Sequence, residues 1–448
     1  MSQLKPLQHS VQPSDSPLDN PLGNPLGNPT NGASITRLPN GLTVIHQQMR
    51  SPAVTIDVWV DAGAGKEPTE WSGMAHFLEH MVFKGTQRLQ PGEFDLAIES
   101  QGGVSNAATS HDYAHYYVTI AAEAVAETLP YLAELVLGAA IPETEFDAER
   151  NVVLEEIRQA NDDPDGVGYQ VLCELLYAPH AYGRPVLGTP ESLKTFSPEK
   201  MRQFHQAHYQ PENMTVAIAG NLSGEKAIAL IQDAFSQFPR PAACPSPDHP
   251  AQRKPLPKLA HKRKTLRLEY LEQCRLTLAW VGPGIDQLAA AAHMDLISTV
   301  LGGGRSSRLV RELREEKQLV QEVDVDFSLQ RDCGELSLSL WLDESNLEAV
   351  EEIVRDRITA LSTELIHPTE LTRAKRLLLN DYAFSTETPS QIAGLYGYYA
   401  TLASPSLVSA YPQNLESATA KAIQQTAQKY LDPAHYTAVI LKPLQAEG

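Results

Sequence analysis

Residues 141–156, IPETEFDAERNVVLEE, align without a gap on residues 366–381, IHPTELTRAKRLLLND, an offset of 225 in a chain of 448 residues. Both read as amphipathic helices, and their spacing is that of two diverged copies of one unit. Two further segments repeat in the same order. The strand VTIDVWVDAGAG, from Val54, corresponds in character and position to CRLTLAWVGPG, from Cys274. HFLEHMVFKG (76–85) falls opposite HMDLISTVLGG (293–303), where Leu296 and Ile297 stand in place of Glu79 and His80. The copies therefore share a framework and differ in chemistry.

Each half alternates strands, such as HYYVTIAAE, MTVAIAG and GELSLSLWLD, with long amphipathic helices. That pattern predicts an α+β fold, each domain a mostly antiparallel sheet packed with helices. A chain of this length exceeds one hydrophobic core. We expect a disordered or extended tail over 1–34, a first domain over 35–238, a proline-rich linker over 239–263 and a homologous second domain over 264–448. The tail, rich in Pro, Asn, Ser and Gly, buries too little apolar surface to offset its ordering entropy. The first fold element is a hairpin in ITRLPNGLTVIHQQ, with Asn-Gly at its turn.

Hydrophobic content of 42% with 20% charged residues is that of a soluble globular protein, and a net charge of −19 argues against nucleic acid as the main partner. The four cysteines are widely separated and form no CxxC pair, so free thiols are expected. No apolar run has the length of a membrane span, and the first residues lack an apolar signal core. A cytoplasmic protein without a membrane partner is the expectation.

The chemistry gathers around 76–80, His-Phe-Leu-Glu-His. On a helix His76 and His80 lie one turn apart on one face, with Glu79 beside them. Two imidazoles so placed can hold one Zn2+, and the adjoining carboxylate can act as general base toward an activated water. A third protein ligand is needed. Glu149 and Glu156 are seven residues apart and share a face of the next strongly helical segment, whereas Glu155 points about 100° away as a solvated charge. Spacing alone leaves Glu149 and Glu156 as alternatives. His111 and His115 read as strand residues about 13 Å apart, too far to share an ion. His205 and His208 have no glutamate in helical register and read as non-ligands.

HFLEH, followed 76 residues after His80 by Glu156 in ERNVVLEE, resembles the inverted-motif zinc peptidases of the pitrilysin and insulinase type. The shorter, mitochondrial processing peptidase-like branch is nearest in length. The resemblance implies a zinc metalloendopeptidase with His76, His80 and Glu156 as ligands, Glu79 as base and Glu149 as an acid supporting the site. GGVSNAATSHDYAHYY resembles the family's edge strand, which implies substrate contacts at Asn106 and Ala107 to an extended peptide. In the second half the family carries an Arg and, seven positions on, a Tyr that hold the substrate carbonyl. Here Arg314 stands at the first position and Gln321 at the second. The resemblance thus implies a peptide substrate and a dimer, either of like chains or with a related chain that lacks zinc. A non-catalytic peptide-binding member of the same fold is the competing expectation.

Overall fold

Alternation of apolar and polar residues places one face of each strand in a core, and in this computed structural model, which describes residues 32–238, 261–269 and 271–444, those strands form two sheets. The first contains β1 (Ser34–Arg37), β2 (Thr43–Gln48), β3 (Ala53–Val60), β4 (Val104–Thr109), β5 (Ala114–Ala121) and β6 (Met214–Gly220). Their order is β1-β2-β6-β3-β5-β4, antiparallel except where β2 meets β6. The second contains β7 (Lys262–Leu268), β8 (Cys274–Gly282), β9 (Val320–Leu329), β10 (Gly334–Leu342) and β11 (Thr437–Pro443), in the order β7-β11-β8-β10-β9. Only β7 and β11 run parallel. With β1 set aside, the two orders are the same, parallel pair included. The repeat in the sequence is a repeat in topology.

The expected hairpin is β1–β2, and Ser34 already belongs to it. The proline-rich segment lies outside the described residues as far as 260, and Lys262 and Arg263 open β7. Cys173, Cys274 and Cys333 are buried free thiols; Cys244 is outside the described residues. Among the described residues no helix is long and apolar enough to cross a membrane.

Five helices matter for the site: α1 (Met74–Val82), α2 (Glu143–Asp162), α3 (Pro164–Tyr177), α4 (Leu288–Gly302) and α5 (Pro389–Leu402). One face of the first sheet packs Val54, Ile56, Val58, Tyr116 and Val118 against Phe77, Leu78 and Met81 of α1. The second sheet is covered on the matching face by α4, with Leu296 and Ile297 in the core. Those two apolar residues fill the positions that carry Glu79 and His80 in the first half, which leaves a packed core at that place.

The other faces are covered by exchange. Helix α5, from the second half, sets Ile392, Tyr396 and Tyr399 against Ile45, Ala217 and Ala219 of the first sheet. Helix α3, from the first half, sets Leu172, Leu176 and Tyr177 against Ala279, Val439 and Leu441 of the second. Between the sheets the β4–β5 and β9–β10 turns meet. Arg331 N–H donates to Asp112 Oδ2 at 3.0 Å, Tyr182 Oη donates to Asp112 Oδ1 at 2.8 Å, and the Arg331 guanidinium pairs with Asp61 at 2.7 Å.

One local reading changes: His111 sits in the turn before β5, so only His115 of that pair is a strand residue. After the glycines of 302–304 the chain is wound with π-type bonds over Val310–Glu316, and that stretch ends with Lys317 N–H donating to Glu312 O.

Candidate metal centre

Helix α1 forms because Met74, Ala75, Phe77, Leu78, Met81 and Val82 make an apolar surface around most of its circumference. His76, Glu79 and His80 occupy the remaining stripe, each half-buried. The chain enters α1 through Gly73 at φ 95°, and a Cβ there would stand 2.7 Å from Gly188 Cα and from Leu187 O. A larger residue would push the helix start off that loop. The buried Glu67 carboxylate accepts from Ala75 N–H at 2.7 Å and Gly73 N–H at 3.1 Å, two of the donors that a helix start leaves unpaired. Burial pushes the Glu67 carboxyl up to about 8, against those hydrogen bonds and the nearby Arg184. The helix N-terminus favours the carboxylate there.

Helix α2 buries Phe146, Glu149, Val153 and Ile157 along one stripe and lies across α1. His76 Nε2 is 3.6 Å and His80 Nε2 3.4 Å from Glu156 Oε2, and the ligand atoms of the three side chains all lie within 4.8 Å of one another. Tetrahedral ligands about 2.0–2.1 Å from a zinc ion stand about 3.3 Å apart. The His-His-Glu set therefore fits zinc in both chemistry and spacing. Burial, and then His80 beside it, lower the His76 imidazole to about 4, so that ring is neutral and its lone pair is available.

The remaining nitrogen of His80 is held from behind. Its Nδ1–H donates to Glu149 Oε1 at 2.9 Å, and Lys84 Nζ meets the other Glu149 oxygen at 2.6 Å. Burial raises the Glu149 carboxyl, but the hydrogen bonds from Lys84 and His80 outweigh it and hold the group below its ordinary range. An ionised Glu149 keeps the proton on Nδ1 and directs Nε2 toward Glu156. Glu155, on the outer side of α2, pairs with Arg158 in solvent.

Glu79 is tied on one side by Thr109, whose hydroxyl donates to Oε2 at 2.5 Å. Burial pushes the Glu79 carboxyl up, and the Thr109 hydrogen bond opposes it. Thr109 ends β4, the edge strand of the first sheet. Along that strand Val104, Asn106 and Ala108 are exposed, and the Asn106 side chain accepts from Ala107 N–H at 2.9 Å. Sequence reasoning missed Thr109, Lys84 and Glu67, which act only through contacts 30, 65 and up to 8 residues away along the chain. Lys84 carried a signal, because it extends the stripe of His76 and His80 by one more turn.

Two of the other histidines meet backbone carbonyls. His205 Nε2 meets Val136 O at 2.8 Å, and His111 Nε2 meets Arg184 O at 2.9 Å. Arg314 pairs with Glu315 at 2.8 Å and Gln321 is exposed at the start of β9. Among the described residues no hydrogen bond or ion pair brings either to the metal cluster.

Comparison with known proteins shows the family of the chain. Residues 42–190 match the family described as Insulinase (Peptidase family M16), and residues 195–378 match the Peptidase M16 inactive domain. The chain is 30% identical over 336 residues to the uncharacterized zinc protease YmxG of Bacillus subtilis, covering 75% of this chain and 80% of that protein. It is 29% identical over 424 residues to the zinc protease PqqE of Helicobacter pylori, covering 91% and 92%. Among solved structures, a protease from Helicobacter pylori superposes with a TM-score of 0.84 at 26% identity, over 92% of this chain and 99% of that one.

Proposed function

This chain belongs to the insulinase family of peptidases, M16, and from that premise we propose that it is a zinc metalloendopeptidase that cuts extended peptides, with His76, His80 and Glu156 as ligands and Glu79 as general base. The observation that carries the reading is the approach of Glu156 Oε2 to both Nε2 atoms on a helix whose next polar group is Glu79. Zinc at this set would supply Lewis acidity toward the scissile carbonyl and lower the pKa of a water.

The chain's own residues do the rest. Glu79, oriented by Thr109, takes a proton from the attacking water and returns it to the leaving amine. Glu149 and Lys84 hold His80 in the tautomer that binds. Edge strand β4 receives the peptide backbone by strand addition, and Asn106 swings off Ala107 N–H to release that donor. The peptide thereby takes a register that brings one of its bonds above Glu79.

Replacing Glu79 with Gln keeps the volume and removes the base. We expect the zinc content to stay at that of the wild type while hydrolysis of a quenched fluorescent peptide stops; turnover by a zinc-loaded E79Q protein would overturn the assignment. His76→Ala is expected to lose the metal itself, read by elemental analysis. A second reading, activity only beside a related subunit, draws support from Gln321 at the family's tyrosine position and from Arg314 turned onto Glu315. Assay of the isolated chain, then of its mixture with a zinc-less relative, separates the two.

A further inference from the structure

The two halves repeat a turn as well as a sheet. In the first half Ser110 N–H donates to Tyr113 O at 2.8 Å and closes the β4–β5 turn; in the second, Gln330 N–H donates to Cys333 O at 3.2 Å and closes the β9–β10 turn. Each turn is received by the segment that follows β3 or β8. Ala64 N–H donates to Ser110 O at 2.9 Å, and Ile285 N–H to Gln330 O at 3.1 Å. The residue before each turn differs. Thr109 precedes the first, with its hydroxyl on Glu79, and Leu329 precedes the second, packed on apolar neighbours.

The first turn is pinned from two sides. On one, a Cβ on Gly63 would stand 2.3 Å from Ser110 O, so the 63–67 segment lies directly against the turn. Gly65 N–H donates to His111 O at 2.7 Å. The same segment ends in Glu67, whose carboxylate receives N–H groups at the start of α1. A short path of backbone thus relates Thr109 to the helix that carries Glu79.

The second half supplies the other side. Asp112 is 8% exposed, and its carboxylate accepts from Arg331 N–H at 3.0 Å and from the Tyr182 hydroxyl at 2.8 and 2.9 Å. Tyr182 Oη in turn accepts from Asp332 N–H at 3.2 Å. Burial, and then the Asp112 charge, push the Tyr182 phenol up, so it keeps the proton that it donates. The Arg331 guanidinium fixes its own turn through Asp61 at 2.7 Å and Thr401 O at 2.9 Å. β4 is an edge strand that pairs with β5 alone, so no second strand resists a shift of its end. The grip on Asp112, three residues on from Thr109, resists it instead.

We propose that the second half positions the general base: the β9–β10 turn, through Arg331 N–H, Asp332 N–H and Tyr182, holds Asp112, and Asp112 keeps the Thr109 hydroxyl over Glu79. Asp112 and Tyr182 are positioning residues that act through Thr109. This role rests on the peptidase reading and gives the second half a part in the chemistry besides any contact with substrate.

A double-mutant cycle on the full-length, zinc-loaded chain tests it, with a quenched fluorescent peptide as substrate. Tyr182→Phe keeps the ring and deletes the link between Asp112 and Asp332. We expect it to lower kcat about 10-fold, as loss of one hydrogen bond to a charged group does, with KM and zinc content unchanged. In a Thr109→Val background the same change should leave kcat nearly where Thr109→Val alone puts it, because the hydroxyl to be positioned is gone. Asp112→Asn, which keeps the size and an acceptor, should repeat the pattern and serves if Tyr182→Phe folds poorly. Equal losses of kcat in the two backgrounds, or a melting temperature that falls while kcat holds, would overturn the positioning role and leave the peptidase reading standing. A wild-type chain that cuts no peptide, alone or beside a related subunit, would overturn both.

Discussion

At the scale of single residues, the metal stripe follows from helical spacing, whereas the groups that tune it do not. Thr109 is 30 residues from Glu79 and meets it at 2.5 Å because β4 ends over α1. Removing that hydroxyl frees the base to rotate and leaves a charged oxygen without its donor. We expect Thr109→Val to lower kcat about 10-fold, the scale of one hydrogen bond to a charged group, with KM and zinc content unchanged and Thr109→Ser restoring the rate. Steady-state kinetics with metal analysis on the three proteins decides it. The choice between Glu149 and Glu156 shows the same limit. Both lie on one face of α2 in any helix, and only the crossing of α2 over α1 brings one to Nδ1 and the other to the two Nε2 atoms.

At the scale of elements, the amphipathic patterns read as helices and strands where the structure has them, because each element buries one face within its own half. Helix α5 is the instructive case. Its sequence, PSQIAGLYGYYATL, gives no hint that it covers the sheet of the other half. Its two glycines make the packing testable. A Cβ at Gly394 meets nothing within 4 Å, whereas one at Gly397 would overlap the Trp59 indole. Gly394→Ala should therefore stabilise the protein by about 0.5–1 kcal/mol, the helix-interior preference for Ala over Gly. Gly397→Ala should destabilise it by about 1–3 kcal/mol despite the same local gain, because the indole has nowhere to move. Denaturant melts of the two variants check the signs.

At the scale of the whole molecule, exchange of α3 and α5 makes each half complete the other's core. Glu335 on β10 of the second sheet is 2% exposed and accepts from Tyr177 Oη of α3 at 2.8 Å. Burial raises its carboxyl to about 7, with Tyr177 opposing and Asp326 adding to the rise. A folded pKa above the unfolded value means that the native state holds the extra proton. This contribution is complete below about pH 4.5 and is lost as the pH rises through about 7. Glu335→Gln keeps an acceptor for Tyr177 and removes the titration. We expect it to raise the melting temperature relative to wild type at pH 8, by an amount corresponding to at most about 3 kcal/mol, and to leave little difference at pH 4.5. Parallel thermal melts at the two values test this.

The sequence by itself determined the duplication, the α+β class and the stripe of His76, Glu79 and His80, since all three rest on local periodicity. Residues three, four and seven apart share a helix face wherever the helix lies, and alternation marks a strand whatever its neighbours. Only the tertiary structure decided which carboxylate approaches the two imidazoles, which hydroxyl ties Glu79 and which half's helix covers which sheet. Those contacts join groups far apart in the chain, and the packing of whole elements against one another sets them.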